Sequence, residues 1–345
     1  MRKRFGKQSV KFENRPVVAS TASIVGDIEG AGPLGNYFDI ILEDDMWGEE
    51  SYEKAERKMY EMCVKNAIER LNITNAGIDC LLGGDLLNQL ISANYAARQL
   101  KIPFLGLYGA CSTITESVLI GSMLIDGGFG ANIACAASSH FSTAERQYRM
   151  PLELGQLATP TSQRTVTGAG CIILSDGCRP DAKKAYSGCS VVVSCGTIGR
   201  VIDLGITDAN NMGAAMAPAA ADTIVTHLND FNKTVDDYDI IVTGDLGTFG
   251  TEMLRDVCQE KGVDLKKKHF DCGAAMFAPE QNTVCGASGC GCAATVVSSY
   301  IIGKMISGEI KKALVMATGA LMSPLANLQG ESIPSIAHAI VLERE

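Results

Sequence analysis

Cys111 stands where a thiol could do chemistry. It follows Leu107-Tyr108-Gly109-Ala110, an apolar strand end closed by a glycine turn, and it opens the helical run STITESVLIGSMLID. Glycine lets the backbone turn sharply from strand to helix. The N–H groups at a helix start stabilise a thiolate, lower its pKa, and can hold an oxyanion or a carboxylate. A cysteine so placed reads as a nucleophile or a pocket residue. The alternative is a small buried hydrophobe, a strong alternative in a chain with 13 cysteines. Most of these thiols lie inside apolar strands, as Cys80 does in CLLGG and Cys171 in GCIIL, which fits a reducing cytoplasm. Cys285, Cys290 and Cys292 form the one local group of metal-ligating type. No second CxxC or histidine accompanies them, so the spacing argues against zinc.

The elements that must position Cys111 occur twice. IDCLLGGDLL, from Ile78, returns as YDIIVTGDLG, from Tyr238, so that Asp79 matches Asp239 and Asp85 matches Asp245, 160 positions on. The stretch Gly109–Ser138 returns as Cys290–Gly319, which sets Cys111 opposite Cys292 and Gly127 opposite Gly308, 181 positions on. A repeat this long is a duplicated half-domain rather than a solenoid unit, and a site can form where two such halves meet. In each half a β-branched run is followed by an amphipathic helix, a short apolar strand, a second helix and another strand. Short unbroken apolar strands read as buried on both faces, which predicts a mainly parallel sheet covered by helices. The expected halves are residues 1–185 and 186–345, joined by a Gly-, Pro- and charge-rich linker at Ser175–Cys189. An insertion at Phe141–Val166 is expected to cover the site.

The chain has 345 residues, 46% of them hydrophobic and 20% charged, an ordinary globular composition. A formal net charge of −9 argues against nucleic-acid binding. The basic start MRKRFGKQ is not followed by an apolar core, so it does not read as a secretory signal. No stretch reaches the roughly 20 apolar residues of a membrane span.

Duplicated halves with a cysteine at a helix start resemble the thiolase and ketoacyl-synthase superfamily, which implies an α/β, duplicated five-layer αβαβα fold. In that superfamily the cysteine carries a thioester and a base in the second half assists it. The partner positions here depart from the pattern. Initiating synthases keep a histidine just after the second-half strand, where this chain has Gly244 and Asp245. They keep an asparagine at the turn opening the second-half helix, where it has Cys290. Degradative thiolases use a Gly-His-Pro turn and a late acid cysteine. The corresponding turn here reads GASGCGC, and no cysteine follows Cys292. A nucleophile without its base loses most of its rate. The condensing activity therefore reads as lost.

Longer strings narrow the resemblance. GGDLLNQLISANYAARQLKIPFL, GACSTITES, IDGGF, ASSHFSTAERQYRMP and above all GRVIDLGITDANNMGAAMAPAAADTI (Gly199–Ile224) are similar to the stage V sporulation protein AD family. That resemblance implies a non-catalytic protein that binds dipicolinic acid (pyridine-2,6-dicarboxylic acid) and assists its uptake into the developing spore. It implies membrane protein partners from the same transport system and a peripheral place on the cytoplasmic face of the forespore inner membrane. It also implies that Asp85 and Cys111 are pocket residues. A homodimer is expected by analogy with the fold.

Dipicolinate is a flat aromatic dianion that often travels with Ca²⁺, and no other cofactor is expected. Its pocket should offer helix N-termini, a guanidinium and a stacking wall. Arg146 and Arg149 in AERQYR, with His140 nearby, are the candidate cations. A solvated or salt-bridged loop is the plainer reading of the same residues. Arg200 reads first as an ion pair with Asp203 or Asp208. Asp85 should repel a dianion unless it is protonated, binds Ca²⁺, or accepts backbone N–H bonds, and the last stands first because Asp245 duplicates it. His338, in the C-terminal strand, is a core histidine or a site residue. The competing function is acyl transfer or condensation with Cys111 as nucleophile and His338 or His140 as the base. The small-residue run at Met212 reads as tight packing, or as the wall of a tunnel or dimer interface.

Overall fold

The structure is a computed structural model that describes residues 3–148, 158–177 and 189–345. Five strands form the first half: β1 (Val17–Val25), β2 (Cys80–Gly84), β3 (Phe104–Gly106), β4 (Asn132–Ser139) and β5 (Gly168–Ser175). Five more form the second: β6 (Val191–Thr197), β7 (Ile240–Thr243), β8 (His269–Asp271), β9 (Lys312–Ala320) and β10 (Ser335–Arg344). Their order is β8-β7-β9-β10-β6-β1-β5-β4-β2-β3, so one half mirrors the other about the β6–β1 junction, where Val192 lies opposite Val17.

The expectation of a mainly parallel sheet needs correction. β5 runs antiparallel to both β1 and β4, and β10 runs antiparallel to both β6 and β9; among these ten strands the parallel pairs are the outer ones. Burial on both faces therefore reflects helices on both sides rather than strand direction. Every residue of β1 and β5 is buried.

Helix α1 (Tyr52–Glu69) starts where the Ser51 hydroxyl accepts the Lys54 N–H at 3.3 Å. It buries Met59, Tyr60, Cys63, Val64 and Ala67, a stripe at helical spacing. With α2 (Ile91–Leu100) it covers the outer face of the first half, where fully buried Leu81 and Ile173 each contribute about 1.5–3 kcal/mol of burial. Helices α5 (Met212–Phe231) and α6 (Gly247–Glu260) cover the second half in the same way. Between the halves lie α3 (Thr113–Asp126) and α7 (Cys290–Ser307), in the core shared by both inner faces. The fold is thiolase-like, with helix and sheet layers alternating. The short helix α4 (Phe141–Tyr148) begins the insertion. The expected boundary at residues 185/186 lies outside the described residues.

By length and apolar composition α7 would span a membrane, contrary to the sequence expectation; its 18 residues are 67% buried and serve the interior. The small-residue run at Met212 packs helix against helix at Gly213, while Met212 itself borders a cavity. A Cβ on Gly213 would come within 2.7 Å of the Leu246 carbonyl oxygen and 3.0 Å of the Gly250 Cα, so α5 and α6 meet backbone to backbone.

Backbone hydrogen bonds set the register of the duplication. Asp79 Oδ2 accepts the N–H groups of Ala131 and Asn132, and Asp239 Oδ2 accepts those of Lys311 and Lys312, 180 positions on. At the turns, Ser112 N–H donates to Gly109 O and Cys292 N–H donates to Gly289 O, again 180 apart. The 181-residue match is thus one position out. Cys111 lies opposite Gly291, Cys290 opposite Ala110, and Gly308 opposite Gly128. Gly128 and Gly308 both have positive φ, +76° and +86°. There is no twin of Cys111.

Candidate functional site

α3 begins two residues after the expected start, which leaves Cys111 on the turn itself. Ala110 is held at φ +48°, a left-handed conformation that costs an alanine about 1 kcal/mol or more. The turn is locked by its own side chains: Ser112 Oγ donates to Gly109 O and Thr113 Oγ1 to Ala110 O, each at 2.6 Å. From the second half, β9 reaches so close that a Cβ on Gly319 would lie 2.1 Å from the Gly109 carbonyl oxygen.

Cys111 is 5% exposed and borders a narrow cavity of about 30 Å³, room for one or two waters. Tyr108, Cys111 and Tyr148 face it from the first half, and Met212, Gly289 and Met322 from the second. Tyr108 and Tyr148 are linked hydroxyl to hydroxyl at 3.0 Å, and Tyr148 donates onward to Leu86 O. α4 roofs the cavity through Ala144, Glu145 and Tyr148, as expected of the insertion.

The thiol is not activated. Burial pushes the Cys111 pKa well above the ordinary value. Asp245 and Cys290 push it further, and the Gly289 N–H opposes them weakly. The lowering expected from the helix start is outweighed by desolvation and by a carboxylate from the other half. Cys111 and Asp245 act on each other across the halves: the carboxyl raises the thiol and the thiol lowers the carboxyl. Asp245 is fully buried and its pKa rises to about 7, chiefly from burial. Its Oδ1 accepts Thr318 Oγ1–H at 2.6 Å and its Oδ2 the Gly289 N–H at 3.3 Å. A carboxylate therefore stands where a condensing enzyme would place a base.

The other candidates lie away from this cavity. Asp85 is fully buried; its oxygens accept the N–H groups of Leu87 and Ala93, both at 2.7 Å, and so fix the loop leading into α2. Burial raises its pKa to about 6. Of the readings open for Asp85, the structural one fits these bonds. His140 is buried, with Nε2 2.8 Å from Asp45 O and Nδ1 accepting Ser142 N–H at 3.1 Å. Burial lowers its pKa. His338 accepts Gly199 N–H at 3.2 Å and is lowered to about 4 by burial. Arg146 is spent in an ion pair with Glu53 over the Tyr52 ring. Arg149 lies outside the described residues. Arg200 pairs with Asp222, not with Asp203 or Asp208. The three clustered cysteines point apart: Cys290 Sγ to Ala110 O (3.0 Å), Cys292 Sγ to Gly244 O (3.2 Å), and Cys285 Sγ toward Phe249 N–H (3.3 Å).

A second cavity, about 230 Å³, opens beside the first and shares Glu145 with it. Its cation is Arg164, which is not among the residues the sequence singles out. The available signal was that Phe141 and Arg164 bracket the insertion, so its two ends had to meet.

The profile of stage V sporulation protein AD matches residues 6–343. The chain belongs to the stage V sporulation protein AD family. Its relative of that name from Bacillus subtilis is 45% identical over 339 residues, covering 98% of this chain and 97% of the relative. Membership of this family ties the chain to sporulation. Solved structures share its fold at much lower identity. OleA from Xanthomonas campestris superposes with a TM-score of 0.60 at 11% identity, over 96% of this chain and 99% of that one. The 3-oxoacyl-[acyl-carrier-protein] synthase III of Aquifex aeolicus gives 0.56 at 13%, over 95% and 99%. Human mitochondrial 3-ketoacyl-CoA thiolase gives 0.56 at 11%, over 97% and 99%. At such identities the likeness bears on fold alone.

Proposed function

We propose that this sporulation protein binds dipicolinic acid between its two halves, without chemistry, and assists its uptake into the developing spore. The observation that carries the non-catalytic part is Asp245 against Cys111. The Cys111 thiol is held neutral chiefly by burial and further by Asp245; His140 and His338 are engaged elsewhere, and the Asp245 carboxyl beside it is itself taken up by Thr318 Oγ1–H and the Gly289 N–H. The binding part rests on family membership and on two adjoining cavities between the halves. The cavity at Cys111 is too narrow for a pyridine ring as it stands, so the ligand enters from the wider one. Ca²⁺ would arrive held by the ligand's own carboxylates.

On this reading the protein hands its ligand to membrane proteins of the same transport system, and it sits peripherally on the cytoplasmic face of the forespore inner membrane. A homodimer would pair through the β3 edge, where Leu105 is 51% exposed and Tyr95 and Tyr108 are each 43% exposed. The second reading, acyl transfer through Cys111, is favoured only by the strained turn at Ala110. Two experiments test the pair. Titration with dipicolinic acid, with and without Ca²⁺, should give saturable binding. Incubation with short acyl-CoAs should leave the mass of the Cys111 peptide unchanged; an acyl adduct there would restore the enzyme.

A further inference from the structure

Residues Arg164–Thr165 and Ala287–Ser288 form a two-stranded parallel ladder that joins the halves, with Arg164 opposite Ala287 and Thr165 opposite Ser288. Successive strand side chains point to opposite faces. Thr165 accordingly borders the Cys111 cavity, and Arg164 borders the wider one. The Arg164 guanidinium carbon lies 3.8 Å above the centroid of the Phe141 ring. Its Nε is buried and has no hydrogen-bond acceptor. Among the described residues Arg164 forms no ion pair, although its charge reaches buried Glu29 and Glu145 lines the same cavity. Buried polar groups left in this state are rare and call for a partner.

The chemistry of that partner follows. Phe141 occupies one face of the guanidinium, which leaves the donor edge, Nε–H with an Nη–H, for a planar bidentate acceptor. A carboxylate has that shape. Ile28 and Phe141 supply an apolar wall, and Asn210, Asn282 and Thr283 supply neutral polar groups. Asn210 belongs to the Gly199–Ile224 string, whose neighbour Met212 lines the first cavity. The facing loop is built at some cost. Asn282 and Val284 have φ of +54° and +57°, and a β-branched residue there is a true outlier. The loop is pinned regardless. Gln281 accepts Ala278 N–H and donates to Ile28 O, both at 2.7 Å, and Cys285 N–H donates to Ser162 O at 3.1 Å. Strained backbone held this firmly is characteristic of binding sites.

We propose that the Arg164 cavity is a carboxylate-recognition site for a small flat aromatic acid, which enters here on its way toward Cys111. Only the identity of the acid rests on the dipicolinate reading; the site itself does not. Calorimetric titrations with pyridine-2,6-dicarboxylate and with benzoate, on wild type, Arg164→Gln and Arg164→Lys, test it. Loss of the charged bidentate contact should weaken binding about 10- to 100-fold in Arg164→Gln. Arg164→Lys should recover only part of that loss. A measurement on the wild-type chain avoids any folding defect: phenylglyoxal modification of Arg164, read by peptide mass, should be slowed by either acid. Binding of pyridine-2,6-dicarboxylate that ignores Arg164→Gln and gives no protection would overturn the site and leave the proposed function standing. Benzoate protection without pyridine-2,6-dicarboxylate binding would keep the site and remove that function. No binding of either acid would end both.

Discussion

The turn before the first-half central helix reads Gly109-Ala110-Cys111-Ser112, and its second-half counterpart reads Gly289-Cys290-Gly291-Cys292. The first bends through Ala110 at φ +48° and aims a thiol at the cavity. The second bends through Gly289 at φ +102° and presents backbone there. At the position equivalent to Cys111, a Cβ on Gly291 would lie 2.6 Å from the Gly168 oxygen. One turn keeps a side chain, and the other keeps close approach and N–H groups. The aspartates after β2 and β7 have diverged in the same way. Asp85 ties down its own loop with backbone bonds, whereas Asp245 reaches across to Cys111. Duplication therefore preserved backbone bracing and split the chemistry: the thiol belongs to one half, and the carboxyl that adds to burial in keeping it neutral belongs to the other.

The largest expected effect comes from breaking the contact between the halves at this point. Gly319→Ala would drive a Cβ into the Gly109 carbonyl at 2.1 Å, backbone against backbone. A loss of about 3 kcal/mol or more is expected, read as a lower midpoint in urea unfolding. An unchanged midpoint would mean that the halves pack less tightly than described.

The next test compares the buried acid pairs. Asp271 accepts bonds from Leu246, Gly247 and Ala274 N–H and from Thr243 Oγ1. Glu56, beside Asp85, has only the hydroxyls of Ser138 and Thr143, at 3.0 and 2.9 Å. Burial, then Asp85, raises the Glu56 pKa to about 8. A carboxyl raised in this way binds its proton more tightly when folded. Its contribution to stability is complete below the unfolded value of 4.5 and is lost as pH rises through about 8. Wild-type stability should fall across that window, and Glu56→Gln should flatten the fall. A slope that Glu56→Gln leaves unaltered would shift the pH dependence to Asp245 or Asp271.

Some of this was legible in the chain and some was not. The repeat, the strand–turn–helix at Cys111 and the insertion at Phe141–Val166, whose described start roofs the cavity, follow from local pattern, because turns, helix stripes and apolar strands are short-range signals. The register of the repeat slipped by one because only the backbone bonds of Asp79 and Asp239 distinguish 180 from 181. The charge state of Cys111 is not legible in the chain, because a helix start argues for a thiolate, while the burial that decides it and Asp245, 134 positions away, which adds to it, come only with the fold. Arg146 and Arg200 lose their freedom to Glu53 and Asp222, partners that only the fold supplies. Arg164 went unnoticed because what distinguishes it is the absence of such a partner.

A gentler perturbation sharpens the same contrast. Asp245→Asn removes the negative charge beside the thiol, so Cys111 should become more acidic and react about tenfold faster with iodoacetamide at pH 8, measured by peptide mass. No acceleration would leave burial alone as the silencing agent. The smallest effect is expected from Ala110→Gly, which relieves the left-handed alanine and makes the first turn resemble the second. Relief of strain and the added freedom of the unfolded chain oppose each other, so stability should change by less than about 1 kcal/mol. A larger loss would mean that the Ala110 methyl packs in the shared core.

The central claim is that the halves enclose a binding site for dipicolinic acid and no active nucleophile. Calorimetric titration of the full chain with dipicolinic acid, in the presence and absence of Ca²⁺, tests it most directly. Saturable binding of one ligand per chain, with no acyl adduct on Cys111 after exposure to acyl-CoA, is the predicted result. A folded protein that gives no binding heat under either condition, yet carries an acyl group on Cys111, would contradict it.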